Sequence, residues 1–203
     1  MSPLISQYEL RRRGVEAMQE FARTRDVEYR TFSFFRMPQL LRVYRGCPAE
    51  YYLTSESTGG QDSPPLLTTH IRAPFPNTSG VRFSLIRRSS SAQGMERHGS
   101  HSVETGDAAF DEAFVVKCHE PGLVREFLAD PAYRALLIET ASGLSIDDRK
   151  EDGHLEHRSR DVHYVKLFVH GFLTDVAGIE KAFSLVDRTL DRLAILGQAR
   201  LAA

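Results

Sequence analysis

The chain has 203 residues, with 26 Lys and Arg against 27 Asp and Glu, and a net charge of −1. Near-neutrality removes the electrostatic case for a nucleic-acid partner, while 41% hydrophobic and 26% charged residues exclude wholesale disorder. A chain of this length fits one domain, or one domain made of two halves, and buries about 70% of its unfolded surface without needing a disulfide or metal staple.

In chain order, Tyr8, Val15, Met18 and Ala22 recur at helical spacing, widened by Leu10 and Phe21, and predict an amphipathic helix over 4–24. Arg11, Arg12 and Arg13 lie in it beside Glu9, Glu16 and Glu20, the mixture of a solvated face. Aromatic and β-branched residues predict strands over 28–35 and 40–44, interrupted at Met37-Pro38. Arg45-Gly46-Cys47-Pro48 reads as a turn, 50–57 as a strand, and Gly59-Gly60 through Pro64-Pro65 as the break of a long hairpin. Two further strands follow over 66–72 and 81–86, the second alternating Val81, Phe83 and Leu85 with Arg82 and Ser84. One face of this sheet is expected to be wet.

Residues 87–104 are polar, with Ser89-Ser90-Ser91 and His98-Gly99-Ser100-His101, and read as a linker or loop. They divide a strand-rich 1–86 from an α+β 105–203, two halves that can share one core. In the second half Asp107 is placed to cap a short helical turn, Phe110 and Phe114 share a face, and Val115 to Cys118 continues as a buried strand. Pro121 and Pro131 each sit at a helix start, with Leu123/Phe127, Val124/Leu128 and Tyr133/Leu137 as the helical pairs behind them. The segments 144–150 and 154–159, joined through Glu151-Asp152-Gly153, predict a hairpin, and 162–170 a third strand packing Val165, Leu167 and Val169 one way. Behind Asp175 as cap, Val176, Ile179, Phe183, Val186, Leu190 and Leu193 predict a long C-terminal helix whose stripe lies on the sheet. The expected fold is α+β: a largely antiparallel sheet, an N-terminal helix, two short middle helices and a long C-terminal helix.

The residues Thr105-Gly106-Asp107-x-x-Phe110-Asp111-x-x-Phe114-Val115-Val116, with the Pro-started helix and Leu136-Leu137 after them, resemble an uncharacterised bacterial domain-of-unknown-function family. The likeness is best over 105–196 and includes a short turn like Arg45-Gly46 in the first half. It implies an α+β fold and a bacterial origin. It carries no established activity, so no functional residue is transferred.

The candidate sites are few. His98 and His101, and His154 and His157, each set two imidazoles three apart, the arrangement that invites a metal. An extended 154–157 would point them to opposite faces, and a polar loop at 98–101 would lose entropy on ordering. His163 and His170 flank the third strand near Asp147, Asp148, Glu151 and Asp152, a set capable of acid–base work if the sheet face forms a cleft. Asp107 and Asp111 are the carboxylates of the signature segment, with structural roles as a cap and as the neighbour of a core Phe. Cys118 and His119 are adjacent on a strand and point apart, so they form no nucleophile–base pair. No Gly-x-Gly-x-x-Gly, phosphate-loop Gly-Lys-Ser/Thr or Gly-x-Ser-x-Gly occurs.

Two cysteines, Cys47 and Cys118, cannot build a disulfide framework, so a reducing cytoplasm is the expected compartment. No leader or membrane span is expected. The leading expectation is therefore a non-enzymatic interaction or scaffold domain of a bacterial cytoplasmic protein, with no cofactor, a protein partner or a second copy of itself, and no nucleic acid. The alternatives are a small-molecule-binding protein or enzyme with a His/Asp-lined pocket between the halves, or a metal-binding protein using the histidine pairs.

Overall fold

The computed structural model of the chain describes residues 6–31, 37–56, 65–88, 101–148 and 161–202. Its elements run α1 (Gln7–Arg25), β1 (Glu28–Arg30), β2 (Gln39–Tyr44), β3 (Cys47–Glu56), β4 (Leu66–Pro76), β5 (Phe83–Arg87), β6 (His101–Val103), α2 (Ala108–Ala113), β7 (Phe114–Cys118), α3 (Pro121–Phe127), α4 (Pro131–Thr140), β8 (Gly143–Asp147), β9 (Val162–His170) and α5 (Val176–Ile195). The fold is α+β, with an N-terminal helix, short middle helices and a long C-terminal helix on one antiparallel sheet. Among the described residues the sheet has nine strands in the order β1-β2-β3-β4-β9-β8-β5-β7-β6.

Local chemistry explains most element ends. Ser6 caps α1 by accepting from Glu9 N, Asp107 caps α2 from Phe110 N, Asp130 caps α4 from Ala132 N, and Asp175 caps α5 from Gly178 N. Pro121 and Pro131 open α3 and α4, where a missing N–H costs no helical bond. Arg45 and Gly46 join β2 to β3 as a two-residue turn, with φ of 45° and 79°. Positive φ at both central residues is what the right-handed twist of a tight hairpin demands.

The register puts one residue from every strand at the same level: Tyr29, Leu40, Tyr51, Ile71, Leu167, Leu144, Leu85, Val116 and Val103. All are apolar or aromatic, and all but Tyr29 are buried. The helices cover this face. Phe183 of α5 stacks on Phe21 of α1 at 5.5 Å and lies 6.1 Å from Tyr51. Phe127 of α3 meets Phe83 at 5.0 Å, and Phe110 of α2 meets Phe114 at 5.1 Å. Tyr133 of α4 hydrogen-bonds Thr189 of α5 at 2.8 Å in the buried interior. Among the described residues no helix packs on the opposite face, where strand alternation places the neighbouring residue of each strand.

Four expectations are corrected. The buried stripe of α1 is Gly14, Ala17, Met18 and Phe21, and Tyr8 is exposed, because the helix presents its smallest residue at 14 to Phe172, Leu173 and Leu53. Strand β3 starts at Cys47 rather than after Pro48, and β4 runs on to Pro76; Pro48 and Pro74 are tolerated because neither ladder needs their missing N–H. The polar stretch 87–104 contributes β6, which pairs with β7. The pairing of 144–150 with 154–159 does not form over β8: β9 occupies one edge of that strand and β5 the other. Residues 154–159 lie outside the described residues.

Gly143 of β8 stands opposite Phe168 of β9, and a Cβ there would overlap the Phe168 ring and sit 3.0 Å from the Leu85 carbonyl oxygen. Gly143→Ala is expected to lower unfolding free energy by about 1–3 kcal/mol. Urea unfolding in the Phe168→Ala background checks the cause: the cost should shrink there, and an equal cost in both backgrounds would refute it.

Candidate functional site

One residue along from the apolar row, on the helix-free face, the same register aligns Glu50, Arg72, Lys166, Ser145, Ser84 and Lys117 on six neighbouring strands. Every member is polar, and four are charged. Glu50, Arg72 and Lys166 are buried, while Ser145, Ser84 and Lys117 are half-buried. The row therefore runs from an enclosed end at β3 and β4 towards a more open end at β7.

Its interactions are ordered. Arg72 donates to Glu50 at 2.9 Å, with both side chains about 5% exposed or less, and its guanidinium lies 5.5 Å from the Tyr164 ring centroid. Lys166 Nζ pairs with Asp147 Oδ1 at 2.8 Å, and Ser145 Oγ donates to Asp147 Oδ2 at 3.3 Å. A second row flanks the first on the same face: Tyr52, His70, Phe168, Gly143, Ile86 and Val115. Tyr52 stacks on the His70 ring at 4.9 Å, and Thr54 Oγ1 is 2.9 Å from His70 Nε2. A charged stripe with an aromatic and aliphatic border thus crosses the face.

The residues singled out from sequence are placed elsewhere. Asp107 caps α2 and accepts from Arg134 Nε at 2.8 Å; that hydrogen bond, with the one from Phe110 N, holds its carboxyl below the usual carboxylate value. Asp111 accepts from Thr105 N, Thr105 Oγ1 and Gly106 N at 2.9 to 3.1 Å. Both carboxylates are used by their own loop, the first as a cap and the second as the clasp of the Thr105-Gly106 turn. His163 lies on the helix-covered face, 4% exposed, with Nδ1 at 2.6 Å from Asn77 Nδ2. His170 is on the other face at the end of β9, exposed, beside the Phe168 ring. Seven residues of strand separate the two, about 23 Å, so they do not converge with Asp147 or Asp148 on one reacting centre.

His98, His154 and His157 lie outside the described residues, and His101 is described only as the first residue of β6. Among the described residues no group of three or more His, Cys, Asp and Glu is placed to hold a metal ion. No described helix is long and apolar enough to cross a membrane. Cys47 and Cys118 are buried free thiols, each pushed up by burial and so unsuited to act as a thiolate nucleophile.

Sequence reasoning missed the polar row because its members come from six segments whose order in the sheet is not the order in the chain. The local signal was present in part: Arg72 stands between Ile71 and Ala73, and Lys166 between Val165 and Leu167. Comparison with family models, with curated proteins and with solved structures finds no match.

The Glu50–Arg72 pair is the most enclosed part of the site, and removing one partner from a buried pair is costly. Glu50→Gln is expected to cost about 3 kcal/mol or more, with Arg72→Met in the same chain recovering part of that loss. Chemical denaturation of the two single variants and the double variant measures the coupling; purely additive losses would mean that the pair is not a unit.

Proposed function

We propose that this chain is a non-enzymatic interaction domain that seats a protein partner on the helix-free face of its sheet, along the row from Glu50 to Lys117. The observation that carries the reading is the row itself: six polar residues at one level of six adjacent strands, on the face that the helices leave uncovered. The half-buried stretch Ser145, Ser84 and Lys117 spans two inter-strand spacings, about 10 Å, and offers the partner a contact beside the enclosed Glu50–Arg72 pair. The row's hydroxyl and ammonium groups, with Tyr52, Phe168 and Ile86 in the flanking row, match the polar rim and aromatic content of an interface. The placement of Asp107, Asp111, His163 and His170 in separate structural roles speaks for binding rather than catalysis. The likeness of Thr105 to Val116 to a bacterial family, and a cytoplasmic setting, belong to the same reading.

A second reading has its own support. Strands from the two stretches either side of 87–104 meet at β4 and β9, where Arg72, Lys166, Tyr164 and Asp147 are closest together, and a polar small molecule would find both charges and a ring there.

A photo-crosslinking side chain placed at Ser84 or Lys117, with Arg188 on the exposed side of α5 as control, separates the two. A discrete protein adduct from the row positions, absent from Arg188, is the expected outcome. A stoichiometric small molecule in the intact-mass spectrum of the purified chain, with no protein adduct from either row position, overturns the proposal in favour of the second reading.

A further inference from the structure

Beyond Ile195 the chain turns at Gly197, with φ of 69°, and returns as a strap across the turn after β4. Thr78 N donates to the Gln198 carbonyl at 3.0 Å, Arg200 N to the Pro76 carbonyl at 3.2 Å, and Thr78 Oγ1 to the Gly197 carbonyl at 2.6 Å. Ser79 and Gln198 hydrogen-bond through their side chains, and Asn77 bridges Ala199 in antiparallel fashion. The strap ends on the β2–β3 turn, where Ala202 N donates to the Arg45 carbonyl and Arg45 Nε to the Ala202 carbonyl, each at 3.0 Å. The 76–79 turn supplies most of these anchors, two through its backbone and two through the Thr78 and Ser79 side chains, so the docking of residues 197–200 depends on the shape of that turn.

One side chain holds the turn. Asn77 Oδ1 accepts from Ser79 N at 3.1 Å and from Gly80 N at 2.8 Å, which fixes the orientation of the carboxamide. Its Nδ2 therefore faces the Val81 carbonyl at 3.2 Å and His163 Nδ1 at 2.6 Å, and donates to both. An acceptor at Nδ1 means a neutral ring carrying its proton on Nε2. Protonation would set a second N–H against the Asn77 amide. Relief then comes from turning the carboxamide, which loses both Oδ1 bonds, or from the ring donating to the Val81 carbonyl, which displaces Asn77 from it. Either route opens the turn.

We propose that His163 and Asn77 form a proton-controlled latch, in which protonation of His163 releases the strap 197–202 from the 76–79 turn. Charged groups act on the ring from several elements. Burial disfavours the cation most, followed by Arg82; Asp148 and Asp147 favour it, as does the Val81 carbonyl, and the outcome lies below the usual His value of 6.5. Arg82 and Asp148 are themselves paired at 2.8 Å, which mutes both. The edge of the Phe75 ring, 6.4 Å away between centroids, adds no charge, and Arg200 is the charged residue of the strap. Asp161, whose carbonyl accepts from Asn77 N, completes the surroundings. The sign is fixed: the docked form binds fewer protons than the released one, so the His163 contribution to docking is full above pH 6.5 and weakens as pH falls below it.

Amide hydrogen exchange of the full chain, corrected for intrinsic rates and read from about pH 7.5 to about pH 5, tests the latch. Protection at Thr78, Arg200 and Ala202 should fall about tenfold per pH unit through the titration of the His163 ring, followed by its own NMR signals, while amides of β4 and β9 hold. Asn77→Asp should reverse the sign, since a carboxylate accepts from the protonated ring and docking then strengthens with acid; a merely structural His163 would show no such reversal. Protection of Thr78 and Arg200 that does not change while the ring titrates, or a ring that stays neutral until the whole chain unfolds, overturns the proposal.

Discussion

The register that ties nine strands into one sheet is the constraint on which the rest of the molecule depends. It stacks Leu40, Tyr51, Ile71, Leu167, Leu144, Leu85 and Val116 at one level facing the helices, and Glu50, Arg72, Lys166, Ser145, Ser84 and Lys117 one residue away facing the other side. A slip of one residue in any central strand would exchange these sets, driving a charge under α5 and an apolar side chain onto the helix-free face. Because β4 pairs with β9 and β5 lies between β8 and β7, the slip would spread across segments far apart in the chain. The apolar row and the polar row thus enforce each other.

The helical layer locks that register from above. Phe183 lies between Phe21 and Tyr51, joining α1, α5 and β3 through one ring, and Arg42 places its guanidinium 4.5 Å from the same ring while pairing with Asp187. Tyr44 and Arg45, at the end of β2, both reach Asp191 on the next turn of α5, and the carboxylate raises the Tyr44 hydroxyl to about 12. Arg42 and Tyr44, two apart on β2, share the face towards α5, and Arg45 follows in the turn. Together they tie β2 to two successive turns of α5. On that same turn of α5, Arg192 reaches α3, donating to the Phe127 and Glu126 carbonyls while lying over the Phe127 and Tyr133 rings.

What was legible in the sequence follows the range of each interaction. Caps and Pro starts act within four residues, and Asp107, Asp130 with Pro131, and Asp175 were readable at once. The stripe of α5 and the alternation of Val81, Phe83 and Leu85 were readable because a period needs only its own element. The α1 stripe was displaced because Gly14 is buried by close approach to Phe172, which hydrophobicity does not signal. The hairpin at β8 failed for a non-local reason: a strand with two edges cannot choose its partner from the nearest turn when β5, nearly sixty residues earlier, and β9 both compete for it. The polar row was illegible for the same reason, since Glu50 and Lys117 are brought to one level only by the complete strand order.

Stability alone does not account for that row. Withdrawing a carboxylate and a guanidinium from water costs several kcal/mol per ion, and their mutual attraction returns roughly that much only with good geometry. A Glu50–Arg72 pair of 2.9 Å meets the geometric condition, yet an apolar pair of the same volume would hold β3 to β4 as well or better. Pairing specificity explains one such pair, because a misregistered strand would strand its charge. It does not reach the half-buried continuation through Ser84 and Lys117. The stripe is enclosed and paired at one end and half-buried at the other, which is the arrangement the proposed contact surface calls for. On that proposal the ion-paired end would set the geometry and the half-buried end would meet the partner.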